Sequence, residues 1–179
     1  MKLALVRHGR TAWNHERRMQ GRSDVPLDDH GREQAEAAGR LLGRAVWARV
    51  VTSPLARAHE SAAIICSHLP GTEMIVDADL LERDYGTAEG MKVGDAHEQW
   101  PQQDYPGAEP LIAVAHRMAG TLHRLLSLPG STIVVSHGTA LRIGLEAVTD
   151  DTCPRIINGE VLALEEHEPS LLRARRLHI

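Results

Sequence analysis

Lys2-Leu3-Ala4-Leu5-Val6 (residues 2–6) is a short apolar run that ends abruptly at Arg7-His8-Gly9. A run of this length and composition is typical of a buried β-strand, and residues 49–53 (RVVTS) and 132–135 (TIVV) follow the same pattern. Polar residues and then a helical pattern come after each of these runs. Strands that alternate with helices in this way predict an α/β fold with a parallel sheet.

Helices are predicted where an amphipathic pattern follows a capping residue or a proline. The first begins near Asp28 or Asp29, and Ala35, Ala38 and Leu41 fall on one face of it. Together with the strands, these helices predict one three-layer domain in which helices flank a mostly parallel central sheet. The predicted helices cover residues 28–44, 54–69, 110–128 and 138–148, and two closing strands are predicted at residues 161–164 and 171–177.

The composition is that of one ordinary globular domain. The chain has 179 residues, of which 42% are hydrophobic and 25% charged, so residues 1–179 can bury one core and fold as a unit. The formal net charge is −4, and aromatic residues make up only 3% of the chain. A nucleic-acid-binding protein is disfavoured, because it needs a basic surface and aromatic stacking platforms.

The sequence predicts neither a membrane segment nor a metal site. The apolar residues 3–6 are too few for a secretory signal, and no run of about 18 apolar residues occurs. Cys66 and Cys153 form no CxxC pair, which argues against a disulfide framework and against zinc. We therefore expect a cytoplasmic protein with no membrane partner, no metal and no cofactor. No sequence feature indicates an oligomer.

Residues 83–109 do not fit the alternation of strands and helices. Their spacing of glycines and prolines predicts an irregular excursion with one helical turn at residues 96–100. Long loops in compact domains are usually functional, so we expect a lid or a wall that faces the substrate. The glycines and prolines are Gly86, Gly90, Gly94, Pro101, Pro106 and Gly107.

Basic residues follow the three predicted parallel strands at the point where each strand ends. Arg7 and His8 follow the first strand, Arg57 lies on the first helical turn after the second, and His137 follows the third. Ligands of open α/β sheets bind at the carboxyl ends of the strands, so these side chains should meet there. A single Arg or His is usually a surface or structural residue, but a cluster of cations needs an anion. Guanidinium groups and helix N-termini match a phosphate dianion.

These residues belong to four blocks of sequence that occur in a fixed order. The ordered set resembles the histidine phosphatase superfamily, also called phosphoglycerate mutase-like, and the resemblance runs from about residue 3 to residue 145. The triplet at residues 7–9 alone would be weak evidence for this resemblance, whereas four blocks in the same order are specific evidence for it. The blocks are LVRHGRT with WN, QG, DVPL and GREQA (residues 5–35), SPLARA with SA (53–62), LERDYG with EG (81–90) and VSHG (135–138).

The resemblance implies a phosphoglycerate mutase-like fold and a role for each block. His8 would be the nucleophile, since an imidazole with an ordinary pKa of about 6.5 is largely neutral at pH 7. Arg7, Arg57 and His137 would bind the transferring phosphoryl group and stabilise its charge. Glu82 would be the general acid, with a surface salt bridge as its alternative role. The remaining candidates for substrate binding are Asn14, Thr11, Gln20, Gly21, Tyr85 and Gly138.

Three functions are compatible with this site. The leading one is a histidine acid phosphatase-type hydrolysis of a small phosphorylated metabolite through a phosphohistidine on His8. The alternative is a phosphoglycerate mutase, but mutases of this family are longer and carry His where this chain has Asp84, which favours water as the acceptor. A binding module without turnover would be favoured by loss of a catalytic residue, and none is lost.

The charges of residues 83–109 predict a substrate preference. An acidic wall would repel a second negative charge on the substrate, which favours a neutral or zwitterionic alcohol as leaving group. A merely solvated loop is the alternative. The segment holds the acids Asp84, Glu89, Asp95, Glu98, Asp104 and Glu109, and the cations Arg83 and Lys92.

Overall fold

One six-stranded sheet runs through the middle of the molecule. The computed structural model describes residues 2–168 and 171–177. The strands are β1 (Leu3–Arg7), β2 (Arg49–Thr52), β3 (Glu73–Val76), β4 (Thr132–Ser136), β5 (Val161–Glu168) and β6 (Leu171–Leu177). Their order is β3-β2-β4-β1-β5-β6. The first four strands pair in parallel, whereas β5 is antiparallel to β1 and β6 to β5. The mostly parallel sheet predicted from the sequence is confirmed.

Helices cover both faces of this sheet. Asp28 caps the longest of the early helices, because its carboxylate accepts a hydrogen bond from the N–H of Gly31 at 2.7 Å. Single 3₁₀ turns lie at Ala78–Leu80 and Gly86–Ala88. The α-helices are α1 (Ala12–His15), α2 (Asp29–Leu42), α3 (Ala56–Ser67), α4 (Val93–Gln99), α5 (Leu111–Ser127) and α6 (Gly138–Thr149).

Alternation along β1 explains the three layers. Leu3 and Leu5 point to one face and pack with α5 and α6, whereas Ala4 and Val6 point to the other face and pack with α2 and α3. All four side chains are fully buried or nearly so. Burial of a leucine of this kind contributes roughly 1.5 to 3 kcal/mol, so the two apolar faces of the strand hold the sheet between its helices. The three-layer α/β prediction is confirmed.

The segment 83–109 is more ordered than the glycines and prolines suggested. Arg83 is buried, and its guanidinium carbon lies 5.5 and 5.3 Å from the ring centroids of Tyr85 and Tyr105, which are themselves in edge-to-face contact. Its Nε donates to the carbonyl of Glu109 at 2.9 Å and its Nη2 to that of Gln103 at 3.0 Å. These contacts join the two ends of the segment, so it forms a packed wall.

Two elements were absent from the sequence prediction, and one was misplaced. The edge strand β3 has mostly exposed side chains, and α1 is a single capped turn, so neither produces a clear apolar period. Helix α4 begins at Val93, before the predicted turn at 96–100. None of the helices in residues 2–168 and 171–177 combines the length and the hydrophobicity that a membrane span requires.

Candidate active site

Neighbouring strands bring the two predicted active-site histidines together. β1 lies beside β4 with Arg7 opposite Ser136, so the residues that follow, His8 and His137, emerge side by side. Their ring centroids are 5.1 Å apart at an interplanar angle of 59°. Both residues are at most 2% exposed.

The backbone fixes which nitrogen of His8 is free to react. Nδ1 lies 2.6 Å from the carbonyl oxygen of Gly9. Because a carbonyl only accepts, Nδ1 carries the proton and Nε2 keeps its lone pair. Arg57 Nε donates to that Nε2 at 3.3 Å. Burial, followed by the charges of Arg57 and Arg7, holds the pKa of His8 well below its usual value, so the imidazole is neutral.

Arg57 is a buried cation held by carbonyl groups. It is 1% exposed on the first turn of α3, and its Nη1 and Nη2 donate to the carbonyls of Ser23 and Gly21 at 2.9 and 2.7 Å. Burial lowers the pKa of Arg57 to about 10, so it stays charged at neutral pH. A buried charge is costly unless an anion compensates it. Its remaining Nε–H points at His8 Nε2, which is where a phosphoryl group would arrive.

Arg7 supplies an unsatisfied donor. Its Nη1 donates to the carbonyl of Ile156 at 2.8 Å, while its buried Nε has no hydrogen-bond partner within the described chain. Burial lowers its pKa, and the nearby Glu82 opposes that effect. A Cβ at Gly138 would lie 3.2 Å from this Nε, so glycine leaves the donor unobstructed.

His137 lies behind the cavity surface. Its Nε2 is 2.8 Å from Ser53 Oγ, which accepts from the N–H of Leu55 at 3.4 Å. The Ser53 hydroxyl can donate to Nε2 or accept from it, and the Nδ1 of His137 has no partner in the described structure. Burial lowers the pKa of His137 well below its usual value, with Arg57 and His8 adding to the effect. The ring is thus neutral, with one unpaired nitrogen, and it lies beside His8.

Glu82 lies at the N-terminus of α6. Its Oε1 accepts from the N–H groups of Arg83 and Ala140 at 2.8 and 2.9 Å, and its Oε2 accepts from that of Thr139 at 3.1 Å. The residue is 7% exposed and lines the same cavity as His8. It makes no salt bridge among the described residues, so the alternative role as a surface ion pair does not apply.

Most of the predicted substrate-binding residues line one cavity of about 500 Å³, a volume typical of small-molecule sites. Thr11 does not line it. Its hydroxyl caps α1 and donates to Gln20 Oε1 at 2.6 Å, which leaves the buried Gln20 Nε2 without a described partner. Thr11 therefore supports the wall from behind. The predicted residues that reach the cavity are Arg7, His8, Asn14, Gln20, Gly21, Arg57, Glu82, Tyr85 and Gly138.

The sequence prediction missed Asn158, which holds the backbone at His8. Its Nδ2 lies 3.1 Å from the carbonyl of His8, 3.3 Å from that of Gly9 and 3.0 Å from Asn14 Oδ1. Asn158 precedes β5, whose antiparallel pairing brings its start to the carboxyl end of β1. The Asn-Gly turn before the predicted strand was the one sequence feature that could have pointed to Asn158. Its place near His8 follows only once β5 is known to run antiparallel to β1.

The prediction of an acidic lid is wrong. None of the six acids in segment 83–109 lines the cavity. Glu89 accepts from the backbone N–H groups of Arg22 and Ser23 at 2.7 and 2.8 Å, and Glu109 pairs with Arg117 at 2.8 Å. These carboxylates hold the segment in place, and the charge count of the sequence could not show which way they face.

No group of three His, Cys, Asp or Glu residues in the described ranges is arranged to hold a metal ion. The groups around His8 are instead two guanidinium groups and a second imidazole.

Comparison with known proteins identifies the family. The histidine phosphatase superfamily (branch 1) matches residues 3–161 of this chain. The chain belongs to that superfamily. It is 38% identical over 151 residues to the uncharacterized phosphatase PhoE of Bacillus subtilis (strain 168), with 82% of this chain and 77% of the relative covered. It is 36% identical over 154 residues to the probable phosphoglycerate mutase GpmB of Klebsiella pneumoniae (strain 342), with 79% and 71% covered.

A solved structure of this superfamily has the same fold. A mycobacterial glucosyl-3-phosphoglycerate phosphatase, solved with VO3, matches with a TM-score of 0.84 and 25% identity over 97% of this chain and 96% of the other. The predicted phosphoglycerate mutase-like fold is confirmed, and the chain belongs with phosphatases and phosphotransferases that act on small phosphorylated compounds.

Proposed function

We propose that this protein hydrolyses a small phosphomonoester through a phosphohistidine formed on His8. The observation that carries the proposal is the state of His8: a neutral imidazole whose Nδ1–H is held by the Gly9 carbonyl and whose Nε2 lone pair faces buried cationic donors. Burial of a guanidinium charge is costly unless an anion offsets it. A transferring phosphoryl group is that anion.

In the first step, the substrate phosphoryl group enters between Arg7 and Arg57. The unpaired Nε–H of Arg7 binds one nonbridging oxygen, and the Nε–H of Arg57 turns from His8 Nε2 to another. His137 binds a third in the tautomer that carries its proton on Nδ1, and the side chain of Asn14 lies at the cavity wall. His8 Nε2 forms a bond to phosphorus, and the bond from phosphorus to the ester oxygen breaks. Glu82 gives its proton to the departing alkoxide.

In the second step, water takes the place of the alcohol. Glu82, now a carboxylate, accepts a proton from the water as its oxygen bonds to phosphorus. The bond from phosphorus to Nε2 breaks, and His8 and inorganic phosphate are released. The arginines contribute because they are already oriented and desolvated before the substrate arrives.

We propose a cytoplasmic enzyme that needs neither a metal nor a cofactor. A phosphoglycerate mutase would use the same site but return the phosphoryl group to the bound product. Asp84, which stands where mutases of this family carry His, favours water as the acceptor.

A steady-state assay tests the proposal. Wild type should hydrolyse an aryl phosphate in the presence of a chelator, and His8→Asn should lower kcat/KM by more than about a thousandfold, as loss of a nucleophile does. His59→Asn, at an exposed histidine on α3, is the matched control and should retain activity. Dependence on an added metal, or isomerisation of 3-phosphoglycerate faster than its hydrolysis, would contradict the proposal.

A further inference from the structure

The cavity extends beyond the phosphoryl site, and this outer part is basic. Besides the two arginines near His8, three more line it: Arg18, Arg142 and Arg155. Glu82 is the one acidic residue among the lining residues in the described part of the chain, and its carboxylate already accepts three backbone N–H groups. The outer wall therefore holds cations that no neighbouring carboxylate of the cavity neutralises.

Arg18 is already occupied. Its Nε donates to Glu16 at 2.6 Å and its Nη1 to the carbonyl of Gly90 at 2.8 Å. These bonds tie the loop after α1 to segment 83–109, so Arg18 is a structural link.

The guanidinium group of Arg155 is unpaired in the described part of the chain. No hydrogen bond or ion pair involves its guanidinium group within the described chain, although its backbone carbonyl accepts from Arg176 at 2.8 Å. It precedes Ile156, whose carbonyl accepts from Arg7, so two cations lie near each other. Burial lowers the pKa of Arg7, and the charge of Arg155 adds to that effect. An anion bound there would relieve this repulsion.

Arg142 is only partly occupied. It lies one turn into α6, and its Nη1 contacts both oxygens of Glu146 at 3.2 and 3.3 Å. Its Nε and Nη2 donate to no acceptor in residues 2–168 or 171–177. The half-buried side chain thus presents part of a planar donor fork, which suits carboxylate and phosphate oxygens.

We propose that Arg142 and Arg155 form a second anion subsite, so that the preferred substrates are phosphomonoesters whose leaving group carries another negative charge. This proposal rests on the proposed function. It names the chemistry that selects the substrate: one phosphoryl group at His8 and one carboxylate or second phosphoryl group at the outer wall. It is the opposite of the preference that the charge count of segment 83–109 predicted.

Matched pairs of substrates test the subsite. 3-Phosphoglycerate and glycerol 3-phosphate differ by a carboxylate in place of a hydroxymethyl group, and 1,3-propanediol bisphosphate differs from its monophosphate by a second phosphoryl group. For wild type, kcat/KM should favour the anionic member of at least one pair by about tenfold or more at low salt, and less at high salt. The pair with the larger ratio tells whether the subsite prefers a carboxylate or a phosphoryl group.

Variants localise the effect. Arg142→Gln and Arg155→Gln should each lower the ratio of anionic to neutral substrate severalfold, Arg155→Lys should keep part of it, and Arg40→Gln on α2 should leave it at the wild-type value. A ratio near one in wild type, or a ratio that these glutamines do not change, overturns the subsite. Those outcomes leave hydrolysis of glycerol 3-phosphate through His8 intact, whereas loss of all hydrolysis would contradict the proposed function itself.

Discussion

At the scale of single residues, the active site depends on which atoms the backbone leaves free. One carbonyl occupies Nδ1 of His8, and three backbone N–H groups orient the carboxylate of Glu82. Main-chain groups thus orient both the imidazole of His8 and the carboxylate of Glu82. Their separate roles can therefore be tested one at a time.

Glu82→Gln should lower kcat/KM more for substrates with poor leaving groups than for substrates with good ones. An alkoxide needs the proton that glutamine cannot give, whereas an aryl oxide leaves without it. We expect kcat/KM for an alkyl phosphate to fall by about 10² to 10⁴ and that for an aryl phosphate by less than about tenfold. Glu33→Gln, at an exposed carboxylate, is the control. Equal losses for both substrates would remove Glu82 from the acid role.

Asn158→Ala should slow the chemical step, because the Asn158 side chain holds the backbone of the loop that carries His8 through the His8 and Gly9 carbonyls. Small misplacements of a nucleophile slow the reaction strongly, so we expect the single-turnover rate of His8 phosphorylation to fall by about tenfold or more. KM should change less than kcat. If the variant only melts earlier and reacts at the wild-type rate, Asn158 is structural and does not position the nucleophile.

At the scale of elements, the start of helix α2 packs so closely against the loop that carries His8 that no side chain fits between the two backbones. A Cβ added at Gly31 would lie 2.1 Å from the carbonyl oxygen of Arg10, and one at Gly9 would lie 2.1 Å from that of Gly31. Only two glycines permit this approach of backbone to backbone. The helix therefore sets the position of the loop that carries His8.

Gly31→Ala should destabilise the protein by about 1 to 3 kcal/mol, the usual cost of overpacking, and should lower kcat/KM as well. Gly120→Ala on α5 is the control, because a Cβ there meets no atom within 4 Å. That change should stabilise the protein by up to about 1 kcal/mol and leave turnover alone. Melting temperatures and kcat/KM of both variants decide the matter; a harmless Gly31→Ala would show that α2 does not constrain the loop.

Most elements of the fold could be predicted because their apolar patterns are strong. β1, β2 and β4 are buried runs, and α5 has a clear apolar face. The edge strand β3 escaped prediction because its residues are largely exposed. The site was predictable where family motifs carry it. Asn158 and the orientation of the acids in segment 83–109 were not, because both depend on the tertiary arrangement.

At the scale of the whole molecule, the buried neutral histidines tie stability to pH. Burial and neighbouring arginines lower the pKa of His8 and of His137, so the folded state takes up fewer protons than the unfolded chain. The free energy of unfolding is therefore unaffected by the titration of these histidines above the unfolded-state pKa of about 6.5. Below that pH it falls, by up to about 1.4 kcal/mol per pH unit for each histidine.

The free energy of unfolding should therefore fall less steeply between pH 6.5 and 5.5 in the His8→Asn, His137→Asn double variant than in wild type. Urea titrations at several pH values measure this slope, and a variant at the exposed His123 controls for loss of a histidine elsewhere. Parallel slopes for wild type and the double variant would mean that these histidines protonate as freely in the folded state as in the unfolded chain.

Nε2 of His8 is the atom that we propose accepts the phosphoryl group. Wild-type protein mixed with a labelled phosphomonoester and quenched within the first turnover should carry an acid-labile, base-stable label. Peptide mapping and ³¹P NMR should place it on His8 at Nε2, because Nδ1 is held by the Gly9 carbonyl. Label on Nδ1, label on Ser, Asp or Glu, or label that persists in His8→Asn would contradict the account.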